Sequence, residues 1–222
     1  MSGEPVLTSF QPLIDAAGAL GVSVTERDAA RLAQLLDELE RWNRTFNLTA
    51  IRKRGDMVTR HLLDSLSVHV DLQGATVADV GTGAGFPGLP LAIVNPERRF
   101  TLIDSNGKKV RFVAHVARVL QLANVEVVHG RVEEVSGSQP FDTVIARAFA
   151  ALPDMLARVA PLCGPRTRLL AMKGRWPQDE VAAIPAAWRV ESSRQIRIPG
   201  LDEARCVIAL RVHSSTEAPS SP

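Results

Sequence analysis

VADVGTGAGFPGLPLAI (77–93) is the stretch on which the reading of this chain turns. An apolar run carrying one acid, Asp79, breaks into a loop with glycines at 81, 83, 85 and 88, then resumes as apolar sequence. Parallel sheets bind ligands at the carboxyl ends of their strands, where glycine lets the backbone approach the ligand closely. Two ligand classes fit such a loop. GAGFPG (83–88) has the spacing of the dinucleotide pattern, which is weak when found alone, whereas DVGTGAG (79–85) sets an acid two residues before the first glycine. A dinucleotide would press its pyrophosphate against that carboxylate in a partly desolvated cleft, which is unfavourable. S-adenosylmethionine carries no phosphate, and its cationic part suits an acid there, directly or through water. Pro87 also disturbs the helix start that would have to cradle a phosphate.

Around this loop the apolar pattern alternates. Strand-like TVADV is followed by a helix from Gly88, strand-like RFTLID, a helix over 108–122, then VEVVH, FDTVIARA, a helix over 152–162, RLLAMKG, WRVESSRQIRI and RCVIALRV. Short apolar strands between amphipathic helices indicate βαβ units, a mainly parallel sheet and helices on both faces. The last two strands have no helix between them, only a turn near Pro199-Gly200, and are expected to pair as an antiparallel hairpin at one edge.

Before the loop the chain reads as helical. Residues 25–46 open with Thr25 and Asp28 in capping-box spacing and continue with Leu32, Leu35, Leu36, Leu39 and Trp42 at helical intervals, which makes Trp42 and Phe46 core candidates. A second helix is expected over 56–70, with Met57, Leu62, Leu66 and Val70 on one face and His61, Asp64 and His69 turned elsewhere. His61 and His69 belong to no ligand constellation and are read as structural. The expected organisation is an N-terminal helical extension (1–72), a ligand-binding α/β domain (73–213) and a disordered Ser/Pro-rich tail (214–222). The opening residues carry acids and prolines instead of a basic segment followed by an apolar one, so neither a signal peptide nor a membrane anchor is expected. Cys163 and Cys206 stand far apart with no histidine or cysteine at ligand spacing, which points to a reducing, cytoplasmic compartment and to no metal site.

Further candidates follow from the strand ends. Asp104, at the end of the second strand, sits where a parallel fold needs an acceptor for ribose hydroxyls, and both ligand classes use such an acid. Val132 and Glu133 follow the third strand, near the expected adenine edge, and Arg147 stands at the mouth of the same crevice after the fourth. Residues 41–60 hold six Arg or Lys against the single acid Asp56. With Lys108, Lys109, Lys173 and Arg175, the basic residues Arg52, Lys53, Arg54 and Arg60 are the candidates for an RNA-facing surface, although the net charge is only +2.

NLTAIR (47–52), RHLLDSL (60–66), DVGTGAGFPGLPLAI (79–93), TLIDSNGKKVRF (101–112), GRVEE (130–134), RAFAAL (147–152) and MKGRWPQDE (172–180), in this order, resemble the bacterial small-subunit ribosomal RNA guanine-N7 methyltransferase family, also called glucose-inhibited division protein B. The resemblance implies a class I S-adenosylmethionine-dependent methyltransferase with a Rossmann-like, mainly parallel seven-stranded sheet. It implies a monomer that methylates N7 of a guanine in 16S rRNA or the small ribosomal subunit, with no membrane partner. It also implies cofactor contacts at Gly81, Phe86, Val132, Glu133 and Arg147 and ribose binding at Asp104, beside the loop residues Asp79, Gly83 and Gly85 read above. Where family members often carry a longer basic residue, this chain has Asn106-Gly107. The fourth strand ends in ARAFAAL, without the Asn/Asp-Pro-Pro-aromatic sequence of exocyclic-amine methyltransferases, and no Pro-Cys nucleophile is present. Guanine N7 has a free lone pair at neutral pH and needs no general base, so no catalytic acid or base is nominated. Two readings compete: an NAD(P)-dependent oxidoreductase resting on GAGFPG, and a non-catalytic RNA-binding module that keeps an inherited pocket.

Overall fold

The structure, a computed structural model, describes residues 9–135, 139–147 and 150–213. The expected tail, 214–222, and Ala148-Phe149 of the RAFAAL stretch lie outside the described residues. Seven strands, β1 (Thr76–Val80), β2 (Arg99–Asp104), β3 (Val125–His129), β4 (Thr143–Arg147), β5 (Arg168–Lys173), β6 (Trp188–Ile196) and β7 (Arg205–Val212), form one sheet in the order β3-β2-β1-β4-β5-β7-β6. β1 pairs in parallel with β2 and with β4, and β7 runs antiparallel to both β5 and β6, so the final hairpin forms one edge.

Strand side chains alternate between the two faces of the sheet with period two. Val77, Phe100, Leu102, Ile145, Leu170 and Val207 enter one buried cluster, while Ala78, Val80, Ile103, Val144, Leu169, Ala171 and Ile208 enter the other. α7 (Leu152–Val159) covers the second face. The first is covered by α1 (Gln11–Gly18), α2 (Glu26–Phe46), the helical residues 54–66, α5 (Gly88–Val94) and α6 (Gly107–Val119). Leu32, Leu36, Leu62 and Leu66 share that cluster with Phe100 and Ile145, so the N-terminal helices pack into the sheet's own core.

The capping box forms as expected: Asp28 N donates to Thr25 Oγ1 (3.1 Å) and Thr25 N to Asp28 Oδ2 (3.2 Å). Trp42 packs against Phe112 (5.6 Å between ring centroids), but Phe46, expected in the core, is exposed at the last position of α2. α1 falls within the expected helical extension, although no periodic run marks it, whereas the short α8 (Gln178–Ala182), which buries nothing, is not legible as a helix.

The second helix departs from its expected face. It runs as α3 (Arg54–Met57), a π-helical turn (Val58–Leu63) and α4 (Asp64–Leu66), then passes to a 3₁₀ turn at His69–Asp71. A π turn takes up an extra residue and shifts the phase of everything after it. Met57, Leu62 and Leu66 are buried, Val70 is 52% exposed, and His61 and Asp64 face inward. Among the described residues no helix is long and apolar enough to cross a membrane.

Candidate functional site

The order of the sheet reverses at β1, which has β2 on one side and β4 on the other; in doubly wound sheets that switch point is where ligands bind. The loop leaving β1 carries three positive-φ glycines, Gly81 (67°), Gly83 (62°) and Gly85 (84°). A Cβ at Gly88 would collide with Leu102 and approach Asp79 Oδ2 to 2.7 Å, so only glycine lets α5 start this close to the sheet.

Asp79 is fully buried beneath this loop. Its Oδ2 accepts from Thr82 Oγ1 (2.6 Å) and Gly88 N (2.8 Å), and its Oδ1 has no hydrogen-bond partner among the described residues. Burial pushes its pKa up to about 6, against the lowering effect of those two hydrogen bonds. Most of the remaining loop amides are also engaged. Gly81 N and Thr82 N donate to Ile103 O (2.9 and 3.0 Å), Gly83 N to Asp104 Oδ2 (2.8 Å), Gly85 N and Phe86 N to Thr82 O (3.0 Å each), and Leu89 N to Gly85 O (2.7 Å). A pyrophosphate would need these N–H groups, and they are spoken for.

At the carboxyl ends of β1 to β4 opens a cavity of about 640 Å³, a size usual for a small-molecule site. It brings together Gly81, Asp104, Val132, Glu133 and Arg147, five of the nine cofactor candidates. Asp79, Gly83, Gly85 and Phe86 do not line it: they build the loop behind it. Asp79 therefore meets a loop amide and a loop hydroxyl, and the cavity wall carries the carboxylates of Asp104 and Glu133. Asp104 is held by two amides, Gly83 N on Oδ2 and Asn106 N on Oδ1 (2.7 Å), which leaves each oxygen a lone pair for hydroxyl donors. Asn106 caps α6, accepting from Lys108 N (3.0 Å) and Lys109 N (3.4 Å), which explains a short polar residue at this point. Arg158 also lines the cavity, 3.9 Å from Glu133; it arrives on α7 and nothing in its local sequence marks it out.

Arg147 separates this cavity from a second one of about 370 Å³, lined also by Arg60, His61, Asp64, Met172, Lys173 and Arg205. Arg147 Nη1 donates to Asp64 Oδ2 (3.0 Å) and to the Arg60 carbonyl (3.4 Å), and Arg205 Nε donates to Asp64 Oδ1 (3.0 Å). The His61 ring stacks on Phe86 (4.5 Å, 18°) with Nε2 3.0 Å from Thr49 Oγ1. Burial, helped by the charge of Arg147, lowers its pKa to about 4, so the ring is neutral at neutral pH. Helical spacing turns Asp64 and His61 away from the apolar face, whereas both are buried; RHLLDSL is the one local signal for them.

The eight basic candidates divide. Arg52, Lys53, Lys108 and Arg175 are exposed, and Lys109 is half-buried beside Gly83. Arg54 is held on α2 by Asp37 (2.8 Å) and Glu40 (3.2 Å), Arg60 pairs with Glu203 (2.6 Å), and Lys173 with Glu180 (2.8 Å).

The family model described as rRNA small subunit methyltransferase G (GidB) matches residues 28–208. A ribosomal RNA small subunit methyltransferase G of Ectopseudomonas mendocina (strain ymp) is 47% identical over 203 residues, 90% of this chain and 95% of its own length. Another, of Escherichia coli (strain K12 / DH10B), is 44% identical over 193 residues, 87% of this chain and 93% of its own. Among solved structures, a SAM dependent methyltransferase from Aquifex aeolicus shares the fold, with a TM-score of 0.54 at 21% identity, over 75% of this chain and 97% of that one. The match over most of its length, together with a switch-point cavity walled by Gly81, Asp104 and Arg147, means that this chain belongs to the rRNA small subunit methyltransferase G family.

Proposed function

We propose that this chain transfers a methyl group from S-adenosylmethionine to N7 of a guanine in 16S rRNA. The observation that carries this reading is the glycine loop, most of whose amides are engaged within the protein and whose neighbouring cavity wall bears the carboxylate of Asp104. That is a site for a nucleoside without phosphates. The same fact argues against the oxidoreductase, since a dinucleotide's pyrophosphate would find most of the loop's amides engaged and the Asp104 carboxylate beside it.

Bound S-adenosylmethionine supplies an electrophilic methyl group. The protein's task is alignment and exclusion of water. Asp104, fixed by the Gly83 and Asn106 amides, accepts the ribose hydroxyls. Val132 and Glu133 border the adenine, and Gly81 lets the backbone come close. The acceptor base enters the second cavity on the far side of Arg147. Guanine N7 needs no deprotonation, so these residues bind and orient only. Residues 73–213 hold the cofactor, while the helical extension, 1–72, contributes Ile51, Arg60, His61 and Asp64 to the acceptor side. The enzyme acts as a monomer in the cytoplasm, on 16S rRNA within or free of the small subunit, using Arg52, Lys53, Lys108 and Arg175 as phosphate contacts.

Titration calorimetry tests the cofactor. S-adenosylmethionine should bind, NADH should not, and Gly81→Val, which forces a β-branched residue to φ 67°, should weaken binding by about 10–100-fold. Labelled methyl transfer to small-subunit RNA tests the activity and separates it from a non-catalytic RNA-binding module. Cofactor binding without transfer would favour the module; NADH binding would sink the assignment altogether.

A further inference from the structure

The second cavity presents a mainly apolar wall in which the side chains of four basic residues are set. Arg60, Arg147, Lys173 and Arg205 all reach it, and its one carboxylate, Asp64, is already engaged on both oxygens. Asp64 is 4% exposed, and it holds one arginine from the end of β4 and another from the start of β7. Arg205 in turn reaches Glu203 (2.9 Å), which pairs with Arg60, whose backbone carbonyl accepts from Arg147, so these groups close a ring beside the cavity. A carboxylate buried this deeply is worth keeping only if both partners stay in position. Among the described residues Arg147 uses only Nη1 in this ring, so Nε and Nη2 remain for whatever occupies the wall between the two cavities.

Donors in a fixed fork suit an acceptor-rich edge. On the edge that carries N7, guanine presents N7 and O6, both acceptors, whereas adenine presents N7 and an amino group, a donor. With N7 facing the methyl group, O6 is what remains to be read. We infer that Asp64 is a positioning residue for base selection: through Nη1 it holds Arg147 so that the free side of the guanidinium donates to O6 of the acceptor guanine. Arg205, held by the same carboxylate, keeps Asp64 from swinging into the cavity. This rests on the methyl-transfer reading above and adds how the base is chosen. An adenine turns its amino group towards the same donors and is refused, because two donors meet with no acceptor between them.

The test compares two acceptors in small subunits reassembled with RNA carrying either guanine or 2-aminopurine at the methylated position, which mass spectrometry of modified nucleosides identifies. 2-Aminopurine keeps N7 and lacks O6. The wild-type enzyme should prefer guanine by about 10–100-fold in kcat/KM, the worth of one charge-assisted hydrogen bond. Asp64→Asn should lower kcat on guanine and shrink that preference towards one, while its affinity for S-adenosylmethionine by calorimetry changes less than about 3-fold. A merely structural role would lower both substrates equally and leave the ratio alone. Should Asp64→Asn not fold, Arg147→Lys, which keeps the charge and loses the fork, must also flatten the ratio. A preference that survives whichever variant folds overturns the inference and leaves the methyl-transfer reading standing; a wild-type enzyme with no transfer to guanine removes both.

Discussion

Asp79 illustrates what a single residue does when burial and chemistry oppose each other. Its carboxylate ties Thr82 and Gly88 together and so shapes the loop, yet one oxygen is left unpartnered in the core. Its folded pKa of about 6 lies above the ordinary 3.8, so the native state holds a proton that the unfolded chain has released, and stability falls as pH rises between those values. Asp79→Asn removes that cost. The variant's stability relative to wild type should grow by about 2 kcal/mol from pH 4 to pH 7, as read from urea denaturation at both. A difference that stays constant with pH would mean that ionising this group costs the fold nothing. His61 acts in the opposite sense: its folded pKa of about 4 lies below 6.5, so its contribution rises with pH through that window and partly masks Asp79 in the wild type. An acid before a glycine loop was legible in the sequence; its orientation was not, because a strand residue faces one side of the sheet or the other according to neighbours that local spacing does not specify.

At the scale of elements, the boundaries came from caps and the interiors from tertiary contacts. The Thr25–Asp28 box opens α2, and Asn47, in the left-handed conformation at φ 50°, closes it. The chain then doubles back through NLTAIR. There Asn43, buried on α2, clamps Thr49 from both sides, accepting its N–H (2.9 Å) and donating to its carbonyl (3.0 Å). Thr49 in turn meets His61 in the π turn. Asn43→Ala leaves two partly buried backbone groups without partners and should cost about 2 kcal/mol, measured as a lower urea midpoint with an unchanged slope. A loss under half of that would show that water replaces the clamp. Sequence periodicity found the helix over 56–70 but missed its phase, since an extra residue in one turn leaves composition unchanged and rotates every later side chain.

Over the whole molecule, the small net charge conceals an uneven division of labour among the basic residues. Arg54, Arg60 and Lys173 are engaged in ion pairs, whereas Arg52, Lys53, Lys108 and Arg175 face solvent. Replacing Arg52 and Lys53 together by Gln should leave the melting temperature unchanged and lower the slope of log affinity against log salt for RNA by about 1.4, two contacts at roughly 0.7 each on single strands. Arg54→Gln should do the reverse, with a stability loss under about 1 kcal/mol for its exposed pairs and an unchanged slope. Equal slopes for the double variant and the wild type would take Arg52 and Lys53 off the RNA surface.

By itself the sequence determined the alternation of strands and helices, the parallel sheet with its antiparallel edge hairpin, the glycine loop and the acid at the end of β2, because each is written in local period, spacing or turn chemistry. Only the tertiary structure decided that Asp79 lies under the loop while Asp104 faces the cavity, that a π turn brings His61 and Asp64 inward, and that Asp64 joins Arg147 to Arg205. Those partners stand 83 and 141 residues from Asp64 along the chain. Contacts over such separations depend on the order in which strands pair, and no local pattern carries that information.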